Sequence, residues 1–140
     1  MAEHLLFKMA EEKGISLDVF SCGVAADPSI PVPEQVFEAL REEGIERFAH
    51  TPRPATRQLL ADSDLVLVMT DFQRQVLGRR FPEFSPKIFA LREYAGFPGT
   101  EIGDPIGLSA DVYRRCLADI REALEAMLRD NRAVPEEKRK

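Results

Sequence analysis

Cysteine is scarce in this sequence, whose 140 residues contain two cysteines and two histidines. Two cysteines cannot form the disulfide framework on which small secreted domains depend, so we expect a reducing, cytoplasmic location. The Cys and His residues also form no local cluster with the spacing of a structural zinc site, so we expect no metal.

Long hydrophobic runs and an excess of basic residues are missing as well. No apolar run approaches the roughly 18 residues of a membrane span, so we expect no membrane partner. The opening residues, MAEHLLFKMAEEKG, place acids where a signal peptide carries a basic region. The 19 Lys and Arg residues against 24 Asp and Glu residues give a formal net charge of −5. No nucleic-acid partner is expected, because such binding usually needs a basic surface.

The length and the overall composition are typical of one globular domain. We place this domain at 1–131 and a solvated tail at 132–140. Apolar residues at helical spacing predict helices, and short apolar runs predict strands. The predicted helices are at 1–13, 33–44, 55–61, 70–80 and from 109 onward, and the predicted strands are at 17–21, 65–69 and 87–91. This alternation predicts an α/β fold with a parallel sheet flanked by helices.

The run at 65–69 (LVLVM) is the strongest strand signal, and its continuous apolar character predicts a strand covered on both faces. Thr70 and Gln73 follow it at the spacing of a capping box, which predicts the start of a helix. Residues 1–9 are already periodic, so the sequence opens inside a helix. Doubly wound folds usually open with a strand, and we therefore expect a strand that these residues do not contain.

Asp104-Pro105 lies in a long Gly- and Pro-rich loop at 92–107. Proline holds the residue before it in extended conformations, and an acid on such a stiffened loop can serve as a general acid or base. An ordinary Gly-Asp-Pro turn is the simpler alternative. Cys22 and Cys116 are interpreted as buried structural residues, because Cys22 has no His or Arg beside it and Cys116 lies on an apolar helical stripe.

Six segments in this order resemble the low-molecular-weight protein tyrosine phosphatase family, most closely its bacterial protein-arginine phosphatase branch. They are MAEHLLFKMAEEKG, DVFSCGV, EALREEGIERFAHTPRPAT, SDLVLVMTDFQRQVL, FPEFSPKIFALREYAG and DPIGLSADVYRRC. The resemblance implies a sheet of strand order 2-1-3-4, a phosphorylated protein as partner, and no metal or organic cofactor.

The resemblance also implies a first strand and a phosphate-binding loop of the form Cys-x5-Arg-Ser. The residue six positions after Cys22 is Pro28, and the residue six positions after Cys116 is Glu122. The sequence therefore has no Cys-x5-Arg, and we predict that these 140 residues alone are inactive. The first strand is expected to be absent, which leaves three strands with a gap or a rearranged order.

The resemblance implies that Asp104 is the general acid and that Ser21 and His50 support the phosphate-binding loop through hydrogen bonds. Tyrosine phosphatases of the family carry aromatic residues just after Asp-Pro, where this sequence has Ile106 in the substrate-binding position. Thr70 replaces the family's Asp after the apolar strand, as in the arginine-phosphatase branch. Hydrolysis of phosphoarginine through a phosphocysteine is therefore favoured over hydrolysis of phosphotyrosine.

Three functions remain open. The first is an active phosphatase in a protein that also contains the strand and the loop, and the second is a pseudophosphatase that acts as a binding or regulatory protein. The third is an α/β domain that shares only the fold. The presence of Asp104 together with Ser21 and His50 favours the first.

Overall fold

The computed structural model describes residues 1–133, which form six α-helices, two β-strands and one 3-10 helix. Their order is α1 (Ala2–Glu12), α2 (Glu34–Glu42), α3 (Arg57–Ala61), β1 (Val66–Val68), α4 (Asp71–Arg80), the 3-10 helix (Pro82–Lys87), β2 (Ile88–Ala90), α5 (Leu91–Tyr94) and α6 (Ala110–Arg129). The predicted helices and two of the predicted strands are present, and the predicted α/β class is confirmed.

β1 and β2 pair in parallel, with Val66 opposite Ile88 and Val68 opposite Ala90. The prediction of a third strand at 17–21 is wrong, because within residues 1–133 this segment forms no backbone–backbone hydrogen bond. A strand exists through the ladder it shares with a neighbour, and apolar alternation cannot supply one. Two residues further on, a single parallel bridge joins Gly23 to Pro54.

One large core lies between α1, α2, α5, α6 and one face of β1. Helix α6 fills its centre because apolar residues recur on one stripe for the whole length of the helix. Val112, at the start of the predicted stripe, is half-buried. The other residues of the stripe are buried, namely Cys116, Leu117, Ile120, Leu124 and Met127. Leu5 of α1 and Leu40 of α2 pack in the same cluster and are completely shielded from solvent.

A second, smaller core lies on the opposite face of the sheet. The side chains of Val68 and Ile88 pack in this core together with Leu60 of α3 and Leu77 of α4. Helices therefore flank the two strands on both sides, as the alternation of apolar runs predicts. This layering fixes the carboxyl end of β1, from which the candidate site extends.

The apolar run at 65–69 is less buried than its sequence predicts. Only Val68 is buried, and the remaining four residues are half-buried. Both faces of the strand are covered, as predicted, because Leu67 packs against the large core and Val68 belongs to the smaller one, but the cover is incomplete. Within the described residues, β1 pairs on one edge with β2 and has no strand on the other edge to shield its side chains.

The end of α6 is tied to α5 by two hydrogen bonds. The Tyr94 hydroxyl donates to the carbonyl of Arg132 at 2.8 Å, and the Arg132 guanidinium donates to the carbonyl of Tyr94 at 3.0 Å. The predicted solvated tail thus begins with a residue that contacts the fold, and its residues 134–140 lie outside the described part. No helix within 1–133 has the length and apolar character needed to cross a membrane.

The predicted capping box at the start of α4 is confirmed. The Thr70 hydroxyl accepts a hydrogen bond from the backbone N–H of Gln73 at 3.2 Å. In return, the Gln73 side chain accepts from the backbone N–H of Thr70 at 3.3 Å and from that of Met69 at 2.9 Å. These bonds satisfy backbone donors that the first turn of a helix leaves unpaired.

Replacing Thr70 by alanine should destabilise the chain by about 1 kcal/mol, because it removes the acceptor for the Gln73 N–H. Urea unfolding of the 140-residue protein measures the difference. Thr70→Ser keeps a hydroxyl in the capping position and should stay within a few tenths of a kcal/mol of the parent protein. Equal stabilities for Thr70→Ala and Thr70→Ser would contradict a capping role.

Candidate active site

The loop that carries Asp104 is attached to the carboxyl end of β1. The backbone N–H of Ile102 donates to the carbonyl of Met69 at 3.1 Å, and the Ile102 side chain is buried. The Glu101 carboxylate also accepts a hydrogen bond from the backbone N–H of Asp71, at the start of α4. Ligands of open α/β sheets bind beyond the carboxyl ends of the strands, and these bonds place the loop there.

Asp104 occupies a tight, exposed turn. Its carboxylate accepts a hydrogen bond from the backbone N–H of Ile106 at 3.1 Å, and the Leu108 N–H donates to the carbonyl of Pro105 at 2.9 Å. Pro105 is buried and anchors the turn. Gly107 follows with φ of +77°, a conformation that a side chain would strain. The carboxylate is therefore held in place while remaining open to solvent.

The amino end of α1 lies in the same neighbourhood. The Cys116 thiol donates to the carbonyl of Gly103 at an Sγ–O distance of 3.4 Å, next to Asp104. Burial raises the pKa of Cys116, and the charges of Asp119 and Asp104 raise it further. Burial lowers the pKa of the Met1 ammonium, while Glu3 and Cys116 oppose this shift. Met1 packs against the same large core as Cys116 and Ile102, so the Asp104 turn and the amino end of α1 both adjoin that core.

Tyr113 lies on α6, three residues before Cys116. Its side chain is buried, and burial raises the pKa of its hydroxyl, with a further rise from the charge of Asp104. The Asp104 turn therefore has an acidic character that neighbouring titratable groups experience. Helix N-termini favour anions. Within residues 1–133 no side chain caps the amino end of α1.

His50 lies against the first turn of α1. Its Nδ1 is 3.8 Å from the Glu3 carboxylate, which is also 3.3 Å from Nδ1 of His4. The His4 ring stacks on Phe48 with the ring centroids 3.6 Å apart, so His4 is packed rather than solvent-facing. Burial lowers the pKa of His4, against the opposing charge of Glu3. The cluster therefore positions His50 at the amino end of α1.

Ser21 lies at the end of the extended segment, where Arg53 holds it. The Arg53 Nε donates to the Ser21 carbonyl at 3.0 Å, and the Arg53 carbonyl accepts from the N–H of Gly23 at 2.9 Å. The next residue, Cys22, is exposed, so the prediction of a buried Cys22 is wrong. Partial burial of the Cys22 thiol raises its pKa, and the charge of Arg53 opposes this rise.

The predicted site residues fall into two groups. Asp104 and Ile106 share one turn, and Thr70 lies beside Met69, to which that turn's loop is bonded. Ser21 and His50 lie on separate segments, and in residues 1–133 no hydrogen bond joins them. Their role in supporting a phosphate-binding loop stays a prediction.

Two contacts of the site were not predicted from the sequence. Glu3 lies one residue from His4 but contacts His50 across 47 positions, and Cys116 contacts Gly103 across 13 positions. The acid in the first turn of α1 was an available signal, since acids are favoured at helix N-termini. Its distant partner had no local signal. In residues 1–133 no group of three Cys, His, Asp or Glu side chains is arranged to hold a metal.

Comparisons with known proteins identify the family of this chain. The family model for low molecular weight phosphotyrosine protein phosphatases matches residues 1–140. A protein-arginine-phosphatase of Bacillus subtilis is 36% identical over 129 residues, which cover 92% of this chain and 83% of that protein.

Solved structures share the fold at similar coverage. The crystal structure of a YwlE mutant from Bacillus subtilis has a TM-score of 0.87 and 32% identity, and the match covers 93% of this chain and 87% of that chain. A cysteine-to-serine mutant of the YwlE arginine phosphatase, with a phosphorylated active-site serine, has a TM-score of 0.87 and 32% identity over 92% of this chain and 84% of that chain. The chain belongs to the low molecular weight phosphotyrosine protein phosphatase family.

Proposed function

We propose that this chain is the acid-bearing part of a cysteine-dependent protein phosphatase that acts on phosphoarginine. The observation that carries the proposal is the position of Asp104 at the carboxyl end of β1. The buried Pro105 and the hydrogen bond from the Ile106 N–H hold Asp104 there. The Asp104 turn and the amino end of α1 adjoin the same core, and the backbone N–H groups and the dipole at that helix end favour a phosphate. Membership of a phosphatase family supports this use of the carboxyl group.

The nucleophile and the phosphate-clamping arginine are proposed to come from a Cys-x5-Arg-Ser loop that these 140 residues do not contain. The thiolate attacks phosphorus and forms a P–S bond while the P–N bond to the guanidine breaks. Asp104 gives its proton to the leaving nitrogen, which departs as neutral arginine guanidine before taking a further proton from water. Water then attacks phosphorus, Asp104 takes its proton, and the P–S bond breaks to release phosphate and the thiolate.

The proposed preference for phosphoarginine rests on the wall of the site. Ile106 is 59% exposed beside Asp104, and Gly107 follows it without a side chain. An aromatic pair at these positions would form a slot for a phenyl ring, whereas Ile106 and Gly107 leave a more open wall. Thr70 is proposed to support this edge of the site through its cap of α4. The arginine-phosphatase names of the relatives favour the same substrate.

A pseudophosphatase is the second candidate, and one specific observation favours it. No Cys-x5-Arg occurs in the 140 residues, because Pro28 and Glu122 stand at the two positions that would need arginine. Such a protein would bind a phosphorylated partner without hydrolysing it. We also propose a cytoplasmic location, since Cys22 and Cys116 are both unpaired thiols.

The test is a fusion protein that joins a Val/Ile-rich strand and a Cys-x5-Arg-Ser loop to Met1. We expect it to release phosphate from arginine-phosphorylated protein at least tenfold faster than from tyrosine-phosphorylated protein, with kcat/KM measured for both. Ile106→Tyr should lower the ratio of kcat/KM for arginine-phosphorylated protein to kcat/KM for tyrosine-phosphorylated protein, because an aromatic side chain packs well against a phenyl ring. A Cys→Ser change in the added loop is the control for background hydrolysis. A correctly folded fusion protein with no turnover would support the pseudophosphatase instead.

A further inference from the structure

Two imidazole rings share one carboxylate at the amino end of α1. Nδ1 of His4 and Nδ1 of His50 lie 3.3 Å and 3.8 Å from the same oxygen, Oε2 of Glu3. The centroids of the two rings are 5.9 Å apart, and the rings meet edge to face. Both distances to Glu3 exceed those of a good hydrogen bond. The carboxylate therefore lies between the two rings and is bound closely by neither.

The surroundings keep His4 and Glu3 in this arrangement. The His4 ring stacks on Phe48 with the centroids 3.6 Å apart, and Phe48 packs in turn on Phe37 of α2 at 5.1 Å. A cation over the face of an aromatic ring is attracted by it, so His4 can gain a proton without leaving Phe48. The Glu3 side chain is only 17% exposed, so solvent screens its charge poorly.

The charges that shift the pKa of His4 come from both segments packed around it. Burial lowers this pKa most, the Glu3 carboxylate raises it, and the Met1 ammonium and His50 lower it further. Arg47, close to His50 in the sequence, is paired at 2.9 Å with a carboxylate of α2. His4 therefore takes up its proton in the folded chain below the value of 6.5 that is usual for histidine.

We propose that Glu3 is a proton-dependent switch between the two imidazoles, which pairs with His4 when that ring is protonated and with His50 when it is neutral. One carboxylate cannot fully offset two imidazolium charges 5.9 Å apart. A hydrogen bond from a charged donor is about twice as strong as one from a neutral donor, so a proton on His4 strengthens its hold on Glu3. His4 is also the nearer of the two rings.

The switch makes the amino end of α1 sensitive to acid. As the pH falls below 6.5, Glu3 moves to His4, and His50 loses the contact that holds its ring against the first turn of the helix. The effect of this loss on catalysis rests on the proposed function, because it requires His50 to support a phosphate-binding loop. The exchange of Glu3 between the rings rests only on the contacts of the 140-residue chain.

The first experiment follows the ring nitrogens of the 140-residue chain by ¹⁵N NMR between pH 7.5 and pH 5. The Nδ1 signal of His50 should show an inflection at the titration midpoint of His4, because His50 loses its carboxylate there. Glu3→Gln should abolish this inflection and lower the His4 midpoint by about 0.5, since the opposing charge is gone. Glu12→Gln removes the same charge from the other end of α1 and, as the matched control, should change neither result.

Two results of this titration overturn the switch. The absence of the inflection in the parent protein would mean that Glu3 does not leave His50 when His4 gains its proton. An inflection that persists in Glu3→Gln would mean that the charge of His4 acts on His50 directly through space. The parent titration needs no variant, so it decides the first point even where a variant fails to fold.

The second experiment compares the fusion protein with its His4→Phe variant, which keeps a ring against Phe48 but has no group that titrates there. Between pH 7 and pH 5.5, kcat for 4-nitrophenyl phosphate should fall about threefold more in the parent fusion protein than in the variant. Equal pH profiles together with the NMR exchange support the switch and count against the proposed role of His50 in the phosphatase. Different pH profiles without the NMR exchange overturn the switch.

Discussion

Asp104→Asn should lower kcat for phosphoarginine hydrolysis by roughly 10²–10⁴-fold in the fusion protein that carries the strand and the Cys-x5-Arg-Ser loop. The reason is that the leaving guanidine is strongly basic and requires a proton as the P–N bond breaks. The side-chain carbonyl of the introduced asparagine could still accept the hydrogen bond from the Ile106 N–H that holds the turn. The variant therefore removes the proton that Asp104 would donate and keeps the shape of the turn. Single-turnover and steady-state kinetics measure the resulting fall in kcat.

The choice of substrate separates general acid catalysis from a structural effect. With 4-nitrophenyl phosphate, whose leaving group departs without help, the loss should be at least tenfold smaller than with phosphoarginine. Asp130→Asn, at the far end of α6, is the matched control and should change neither rate. A loss that is equal for both substrates, or a lowered melting temperature, would point to a damaged loop rather than a missing acid. The 140-residue chain alone should release no phosphate from either substrate.

The helices could be predicted from the sequence because their signals are local. The apolar stripe of α6 and the capping box of Thr70 and Gln73 each lie within a few turns of one element. The strand at 17–21 could not be predicted in the same way. Its apolar residues are suitable, but strand formation depends on a neighbour elsewhere in the chain, and none is present in residues 1–133.

For the candidate site too, the local features could be predicted and the long-range contacts could not. Asp104 was found because Asp-Pro is a local signal, and the turn it predicts is present with its bond to Ile106. The bonds that locate this turn are not local, since Ile102 reaches Met69 and Cys116 reaches Gly103. These segments meet because Ile102, Cys116 and Met69 pack in the same large core. The exposure of Cys22 was missed for a similar reason, because the burial of a side chain depends on distant residues that the local sequence does not show.

Joining the strand covalently to Met1 should also raise the thermal stability of the protein. Several half-buried side chains of the large core, Leu65, Leu67 and Met69 among them, would become buried, each with a gain of about 1 kcal/mol for partial removal from water. The added strand would bury its own apolar residues but would lose conformational entropy of about 1–2 kcal/mol per residue. We expect a net gain of about 3 kcal/mol, which corresponds to a rise in Tm of roughly 10 °C for a chain of this size.

The matched control is a fusion protein of the same length in which serine replaces the apolar residues of the added strand. It should melt within about 2 °C of the 140-residue chain, because its side chains contribute little apolar burial. The apolar version should also aggregate less on heating, since it covers the open edge of β1. Equal melting temperatures for the apolar fusion protein and the 140-residue chain would mean that β1 and residues 17–21 do not accept a strand. In that case no loop would place a nucleophilic cysteine beside Asp104. A pseudophosphatase that binds its partner without hydrolysis would then explain this chain better.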